Sequence, residues 1–190
     1  MEKTEYVVLS KDEIVTMQKE AAEIGARAAM EKLEQERKSM YRKAADRRLH
    51  NTKLLLRNYR MLRENADNSI YGRSQMKESA ADILSSMMNL YDDEVIVDAI
   101  KRSATRTAII VTHVNTMLDL YEAYCEKSGS EPDNRRYETI NDMYIVDQPL
   151  TVKEIAKKQH VSEETVYKDL KIATERLSAL IFGVDGLRLH

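Results

Sequence analysis

Tryptophan is absent from this chain, phenylalanine occurs once, as Phe182, and proline is confined to Pro132 and Pro149. Glycine occurs five times in 190 residues. Strands favour aromatic and β-branched side chains, and their turns draw on Gly and Pro, so this composition argues against a sheet protein. What is abundant instead is charge, at 33% of residues, carried largely by good helix formers. An all-α fold is predicted. The hydrophobic share of 43%, which includes ten Tyr and ten Met, is modest for one globule of this length and predicts an elongated molecule. Cys125 stands alone, so no disulfide can form within the chain and a reducing, cytoplasmic compartment is expected. No apolar run approaches the roughly 20 residues of a membrane span, and MEKTEYVVLS lacks the pattern of a signal peptide. A soluble protein with no membrane partner is therefore expected.

Signs of catalysis are also missing. His50, His113, His160 and His190 lie on different elements, and no His/Cys/Asp/Glu set has metal-ligand spacing. There is no Gly-rich phosphate loop and no nucleophile elbow. The acid pairs Asp92-Asp93 and Glu163-Glu164 sit at predicted helix starts, where the helix dipole accounts for them. His113, on an apolar helix, is expected to be a hydrogen-bonded core residue. The chain is read as a non-enzyme without catalytic residues, cofactor or metal.

The net charge of −2 conceals a strong asymmetry. Residues 1–36 carry a net of −4, residues 37–63 a net of +9, residues 64–147 a net of −8 and residues 148–190 a net of +1. The positive block, RKSMYRKAADRRLHNTKLLLRNYRMLR, reads as a helix with Leu49, Thr52, Leu56, Tyr59 and Leu62 or Arg63 on one face. Arg47, Arg48, Lys53, Arg57 and Arg60 supply much of the rest. So many cations on one helix repel each other unless an anion answers them. Two readings stay open: nucleic-acid phosphate, bound through counterion release, or the acidic middle of the same chain folding against it. Tyr41 and Tyr59 are candidates for stacking on bases, or else core residues.

Ser10 and Glu13 form a capping box that opens the first helix. Ile14, Met17, Ala21, Ile24 and Ala28 then recur at heptad spacing, a short seam that suits either self-association into a homo-oligomer or a solvated helix. The pattern fails from Glu31, and fraying is expected there. A polar turn, Asn65 to Gly72, marks a boundary. Ser74 is expected to cap a helix with Met76, Ala80, Ile83 or Leu84, Met87 and Met88 inward. After a turn at Asn89 to Asp93, one long helix is expected to run from Glu94 to a Gly129 stop. Its inward residues are Ile96, Ile100, Ile110, Val114, Met117, Tyr121 and Tyr124. Pro132 opens another helix through Tyr137, Ile140, Met143 and Tyr144, and Asp147-Gln148-Pro149 is a linker. Three regions follow: an N-terminal arm over 1–70, a central helical bundle over 71–147 and a C-terminal unit over 148–190.

That last unit holds the most informative stretch, LTVKEIAKKQHVSEETVYKDLKIATERL, residues 150–177. Thr151 caps a short helix with Glu154 as its capping-box partner, and Ile155 and Ala156 pack inward. Gln159-His160 is the break and Val161 an apolar plug. Ser162 caps a second helix whose first turn carries Glu163 and Glu164. Val166, Leu170, Ala173 and Leu177 form its buried stripe, which leaves Glu163, Tyr167, Lys168 and Lys171 outward. The layout is a helix-turn-helix. The bland alternative is a hairpin that only packs. The apolar Leu180-Ile181-Phe182 and the glycines after it are expected to fold back on this unit.

VSEETVYKDL resembles the recognition-helix pattern of bacterial helix-turn-helix regulators, and TVKEIAKKQHVSEETV is similar to region 4 of bacterial sigma factors, which reads the −35 promoter element. DRRLHNTKLLLRNYRMLRENADNSIY, EKSGS with RRYETINDMY, and LSALIFGVDGL resemble small phage and prophage late-gene regulators of the ArpU and RinA type, over residues 40–190. His160 departs from the pattern at a position usually held by Gly, Gln159 replaces an apolar residue, and Glu163 and Glu164 stand where Arg is common. The resemblance implies a late-gene activator or sigma-like factor that binds promoter DNA and works with RNA polymerase. On that reading Ser162, Thr165, Tyr167, Lys168 and Lys171 lie nearest the DNA, and Lys153 and Lys157 hold its backbone. A terminase small subunit, the DNA-packaging adaptor of phages, and a protein that docks on RNA polymerase are the alternatives.

Overall fold

The computed structural model describes residues 10–67 and 78–183, and among these there are seven α-helices and no strand. The fold is all-α, with a long N-terminal helix and a helical bundle. The helices are α1 (Lys11–Asp67), α2 (Ala80–Met87), α3 (Asp93–Lys101), α4 (Ala104–Ser128), α5 (Glu131–Ile140), α6 (Val152–Lys158) and α7 (Glu163–Phe182). A π-helical turn, Asn141–Ile145, continues directly from α5. Ser74, Met76, most of the predicted turn ending at Gly72, and the segment after Gly183 lie outside the described residues.

The chain divides into two units, Met1–Lys43 and Ala44–His190. In the first, Ser10 and Glu13 form the predicted capping box: the Ser10 N–H donates to Glu13 Oε2 at 2.7 Å, and the Glu13 N–H to Ser10 Oγ at 3.3 Å. The helix does not fray at Glu31, as the loss of apolar pattern had suggested. The residues there are strong helix formers, and Glu34 and Lys38 pair at 2.7 Å across one turn. Every residue from Ser10 to Lys43 is exposed, the Ile14–Ala28 seam included.

The second unit holds the core. The stretch of α1 after Lys43 contributes Leu54, Leu55, Leu56, Tyr59 and Leu62, a wider face than the sequence marked. These pack with Ile83 and Met87 of α2, Ile96 and Ile100 of α3, and Ile110, Val114 and Tyr121 of α4. Ile140 of α5 and Ala173, Leu177 and Ile181 of α7 complete the cluster. Tyr59 is 5% exposed and donates its hydroxyl to Asn115 Oδ1 at 2.6 Å, so it is a core residue and is not placed to stack on bases. His113 is half-buried, its Nε2 3.0 Å from the Ile181 carbonyl at the end of α7.

Two expectations are corrected in this unit. The cap of α2 is Ser79, not Ser74, in a capping box with Asp82. The long helix expected from Glu94 to Gly129 is two helices, α3 and α4. Ser103 caps α4 through the Arg106 N–H, while Thr107 Oγ1 and Arg106 Nη1 donate to the Ile100 and Ala99 carbonyls at the end of α3, each at 3.1 Å. Side chains thus take up backbone groups that a continuous helix would have paired within itself. Past the break the buried apolar residues are Ile110, Val111, Val114, Leu118, Tyr121 and Cys125, whereas Tyr124 is 52% exposed. Gly129 ends α4 with φ +62°, as a C-terminal glycine should.

Truncating a side chain in this core should be costly. Leu56→Ala is expected to lower stability by about 2–5 kcal/mol. Ile24→Ala, on the exposed part of the same helix, should change it by no more than about 0.5 kcal/mol. Urea midpoints measured on the two variants check the contrast.

Candidate nucleic-acid interface

Each end of the two C-terminal helices is set by the residues the sequence marks. At the start of α6 the Thr151 N–H donates to Glu154 Oε2 at 2.8 Å, and the Glu154 N–H to Thr151 Oγ1 at 3.3 Å. The Thr151 backbone N–H first, and its hydroxyl second, which donates to the same Oε2 at 2.7 Å, hold the Glu154 carboxyl below its ordinary range. The helix ends in a Schellman motif: the His160 N–H points to the Lys157 carbonyl at 3.4 Å, and the Val161 N–H to that of Ala156 at 3.0 Å. His160 takes the left-handed position with φ +54°, a conformation in which His is among the better tolerated non-glycine residues. Gln159 is satisfied by α5: Thr139 donates to its Oε1 at 3.1 Å, and its Nε2 donates to the Arg135 carbonyl at 3.3 Å.

Ser162 accepts from the Thr165 N–H at 3.1 Å and opens α7. A small apolar cluster, Ile155, Ala156 and Val166 with Val161 and Leu170 against it, sets α6 beside the first turns of α7. Leu170 also packs on the main core, so one side chain serves both clusters.

Beyond the apolar contacts, α7 is held by buried charge. Asp169, 3% exposed, accepts from Arg135 Nε at 2.7 Å and Arg136 Nε at 3.3 Å. Two turns further on, Arg176 donates to Asp133 Oδ1 at 2.7 Å, and Arg136 Nη1 reaches the same oxygen at 2.7 Å. Thus α5 offers an acid and two bases where α7 offers a base and an acid. Burial alone would raise the Asp133 carboxyl, but the bonds from Arg176 and Arg136 outweigh it and hold the group below its ordinary value. A third link joins the π-turn to α6, where Lys158 Nζ meets buried Asp142 at 2.7 Å.

The opposite side of this pair of helices is open. Lys153 and Lys157 on α6, and Ser162, Glu163, Glu164, Tyr167, Lys168 and Lys171 at the start of α7, are all exposed, and Thr165 is half-exposed. Tyr167 is 60% exposed. Lys168 pairs with Glu164 at 2.8 Å in full solvent, a weak contact that leaves the ammonium available. All the candidate residues of this unit therefore lie on two neighbouring helices joined by one turn. The candidates on α1 divide instead. Arg47 donates to the Met88 carbonyl and stacks 3.6 Å over the Tyr91 ring, and Arg48 is half-buried. Lys53 and Arg57 are exposed, and Arg60 is half-buried.

Sequence reasoning missed Asp133, Arg135, Arg136, Asp169 and Arg176. A signal was present: Asp169 and Arg176 fall within the phase of the Val166–Leu177 stripe, where a charge demands a buried partner. Among the described residues no group of three or more His, Cys, Asp or Glu could hold a metal ion. No family model matches the chain, and no curated protein or solved structure is significantly similar to it.

The charge ladder gives the fold a pH dependence of known sign. Because the folded Asp133 carboxyl is lowered, its contribution is complete above the unfolded value and is lost as the pH falls through the folded one. Stability should therefore drop below about pH 4, and Asp133→Asn should be less stable at neutral pH with a flatter acid limb. Chemical denaturation between pH 2.5 and 7 measures both.

Proposed function

We propose that the chain is a sequence-specific DNA-binding transcription regulator that presents the start of α7 to the major groove. One observation carries this reading: the helix is locked on one side by core packing and ion pairs, while Tyr167, Lys168 and Lys171 on its other side are exposed and take no part in the core. In this reading Tyr167 and Lys168 meet base edges, Thr165 and Ser162 lie at the groove, and Lys171 closes on the strand. Lys153 and Lys157 fix the backbone, since phosphate contacts orient while base contacts specify. Glu163 and Glu164 repel phosphate and narrow the helix's reach to groove positions that its cations can compensate.

The resemblance to late-gene regulators and to sigma region 4 supports a promoter as the target, with the chain acting as a phage or prophage late-gene activator or sigma-like factor and RNA polymerase as its second partner. The net charge of +1 over residues 148–190 predicts weak binding by that unit alone. Pairing of two copies through the exposed Ile14–Ala28 seam would add a second reading head, since helix-turn-helix dimers place two recognition helices about one DNA turn apart.

Selection from a random duplex pool by the full-length protein tests the reading. A preferred sequence should emerge, and Tyr167→Ala or Lys168→Ala should each weaken its binding by about 1–3 kcal/mol and relax the preference. Lys153→Ala should weaken all duplexes alike. An unchanged preference in both α7 variants removes this helix as the reader. Native mass spectrometry of the same protein should give one or two copies, whereas a ring of many copies favours the packaging adaptor.

A further inference from the structure

The basic stretch of α1 has two kinds of cation. Arg47 and Arg63 sit at the margins of its buried stripe and are engaged by the protein. Arg47 meets the Met88 carbonyl and the Tyr91 ring. Arg63 meets Asp147 and points Nη1 at the Ile145 carbonyl, 3.5 Å away. Lys53, Arg57 and Arg60 lie on the opposite face at spacings of four and three. Lys53 and Arg57 are exposed and form no ion pair among the described residues. Arg60 is half-buried, and its Nη1 is enclosed by protein without a hydrogen-bond partner there. No acid occurs between residues 47 and 63, and the flanking acids of the helix are Asp46 and Glu64.

We infer that Lys53, Arg57 and Arg60 form a second DNA contact, a phosphate-binding stripe that supplements α7. The inference rests on the DNA-binding reading of the helix-turn-helix. Three features carry it. The first is spacing: residues 53 to 60 span about 10.5 Å of helix axis at 1.5 Å per residue, and a DNA strand presents a phosphate about every 3.4 Å along its axis. A straight row of three cations therefore suits a run of backbone better than an irregular acidic surface. The second is position. Arg63, one turn beyond Arg60, is tied to Asp147 and directed at Ile145, in the segment that leads into the Thr151 cap of α6. The stripe thus begins within about 5 Å of helix axis from the point where α1 meets the segment that precedes the helix-turn-helix. The third is charge: the reading unit is nearly neutral, while Arg57, which is exposed, has the planar fork that binds phosphate in two-point fashion.

The test uses the full-length protein and two duplex probes, one selected and one of scrambled sequence, with affinity measured from 50 to 300 mM salt. Lys53→Ala/Arg57→Ala changes only exposed side chains, and its urea midpoint should match that of the parent. Its slope of log K against log salt should fall by about 2. Affinity for both probes should drop by tens of fold at 0.15 M salt, with the preference between them retained. Lys53→Arg/Arg57→Lys should restore the slope. A slope unchanged in the double alanine variant, while Tyr167→Ala still alters preference, overturns the stripe and leaves the α7 reading intact. No binding of either probe by the parent protein sinks both. A double variant that keeps its DNA slope but loses retention on immobilised polyglutamate assigns the stripe to an acidic protein partner and overturns the DNA assignment.

Discussion

The alternating ion pairs between α5 and α7 are the constraint on which the C-terminal half depends. Placing Asp133 and Asp169 out of solvent would be prohibitive for isolated carboxylates. Each is answered by two guanidinium groups, and Arg136 serves both acids. Arg176 in turn lies 5.4 Å from the Tyr124 ring centroid, which covers one face of the guanidinium. The order of signs matters more than the gross energy. Asp169 faces Arg135 and Arg136 while Arg176 faces Asp133, so sliding α7 by two turns along α5 would oppose like charges. Apolar packing alone tolerates such slips, because Ala, Leu and Ile contacts are non-directional. Charge in this pattern permits a single register.

A helix fixed in this way can leave its other side without structural work. Leu170 belongs to both apolar clusters, and Val166 packs toward α6. Toward solvent, Tyr167, Lys168 and Lys171 interrupt the same helix at the complementary phase. The short α6 is held by three different devices at its three margins: the capping box at Thr151, the Schellman turn at His160, and Lys158 on Asp142 at its side. Gln159, which departs from the apolar pattern of related turns, fits because Thr139 and the Arg135 carbonyl are there to meet its amide. The unusual residues at 159 and 160 are accommodated by α5 and by His in a left-handed turn, and the motif needs neither Gly nor an apolar plug at those positions.

What the sequence made legible was local. Capping boxes at Ser10 and Thr151, the Ser162 cap and the Gly129 stop all rest on interactions within four residues, and each is where the residue types predicted it. The α3–α4 break escaped because Ile96, Ile100 and Ile110 keep a helical phase across it, and only the partners of Ser103 and Thr107 distinguish a cap from a continuing helix. The π-turn at Asn141–Ile145 has no periodic signature at all. Tyr124, expected inward, is exposed, while Tyr59, for which stacking and core roles both stood open, is buried with Asn115 as its partner. For the candidate interface, the outward residues could be read from helical phase, whereas the ion pairs that join α5 to α7 link residues more than 30 positions apart and needed the fold.

The same distinction separates the two populations of charge along α1. A block of ten cations would strain any helix that faced them all one way, yet helical phase distributes them around the axis. At the edge of the buried stripe Arg63 pairs with Asp147 of the acidic middle region, while Arg47 meets the neutral Met88 carbonyl and Tyr91 ring. On the far side, Lys53 and Arg57 are exposed and form no ion pair among the described residues. Their charge is therefore not explained by folding, just as the exposure of Tyr167 and Lys168 is not explained by packing. A side chain whose removal would leave the fold unchanged needs another reason for its chemistry. At the start of α7 the residues of that kind are Tyr167, Lys168 and Lys171.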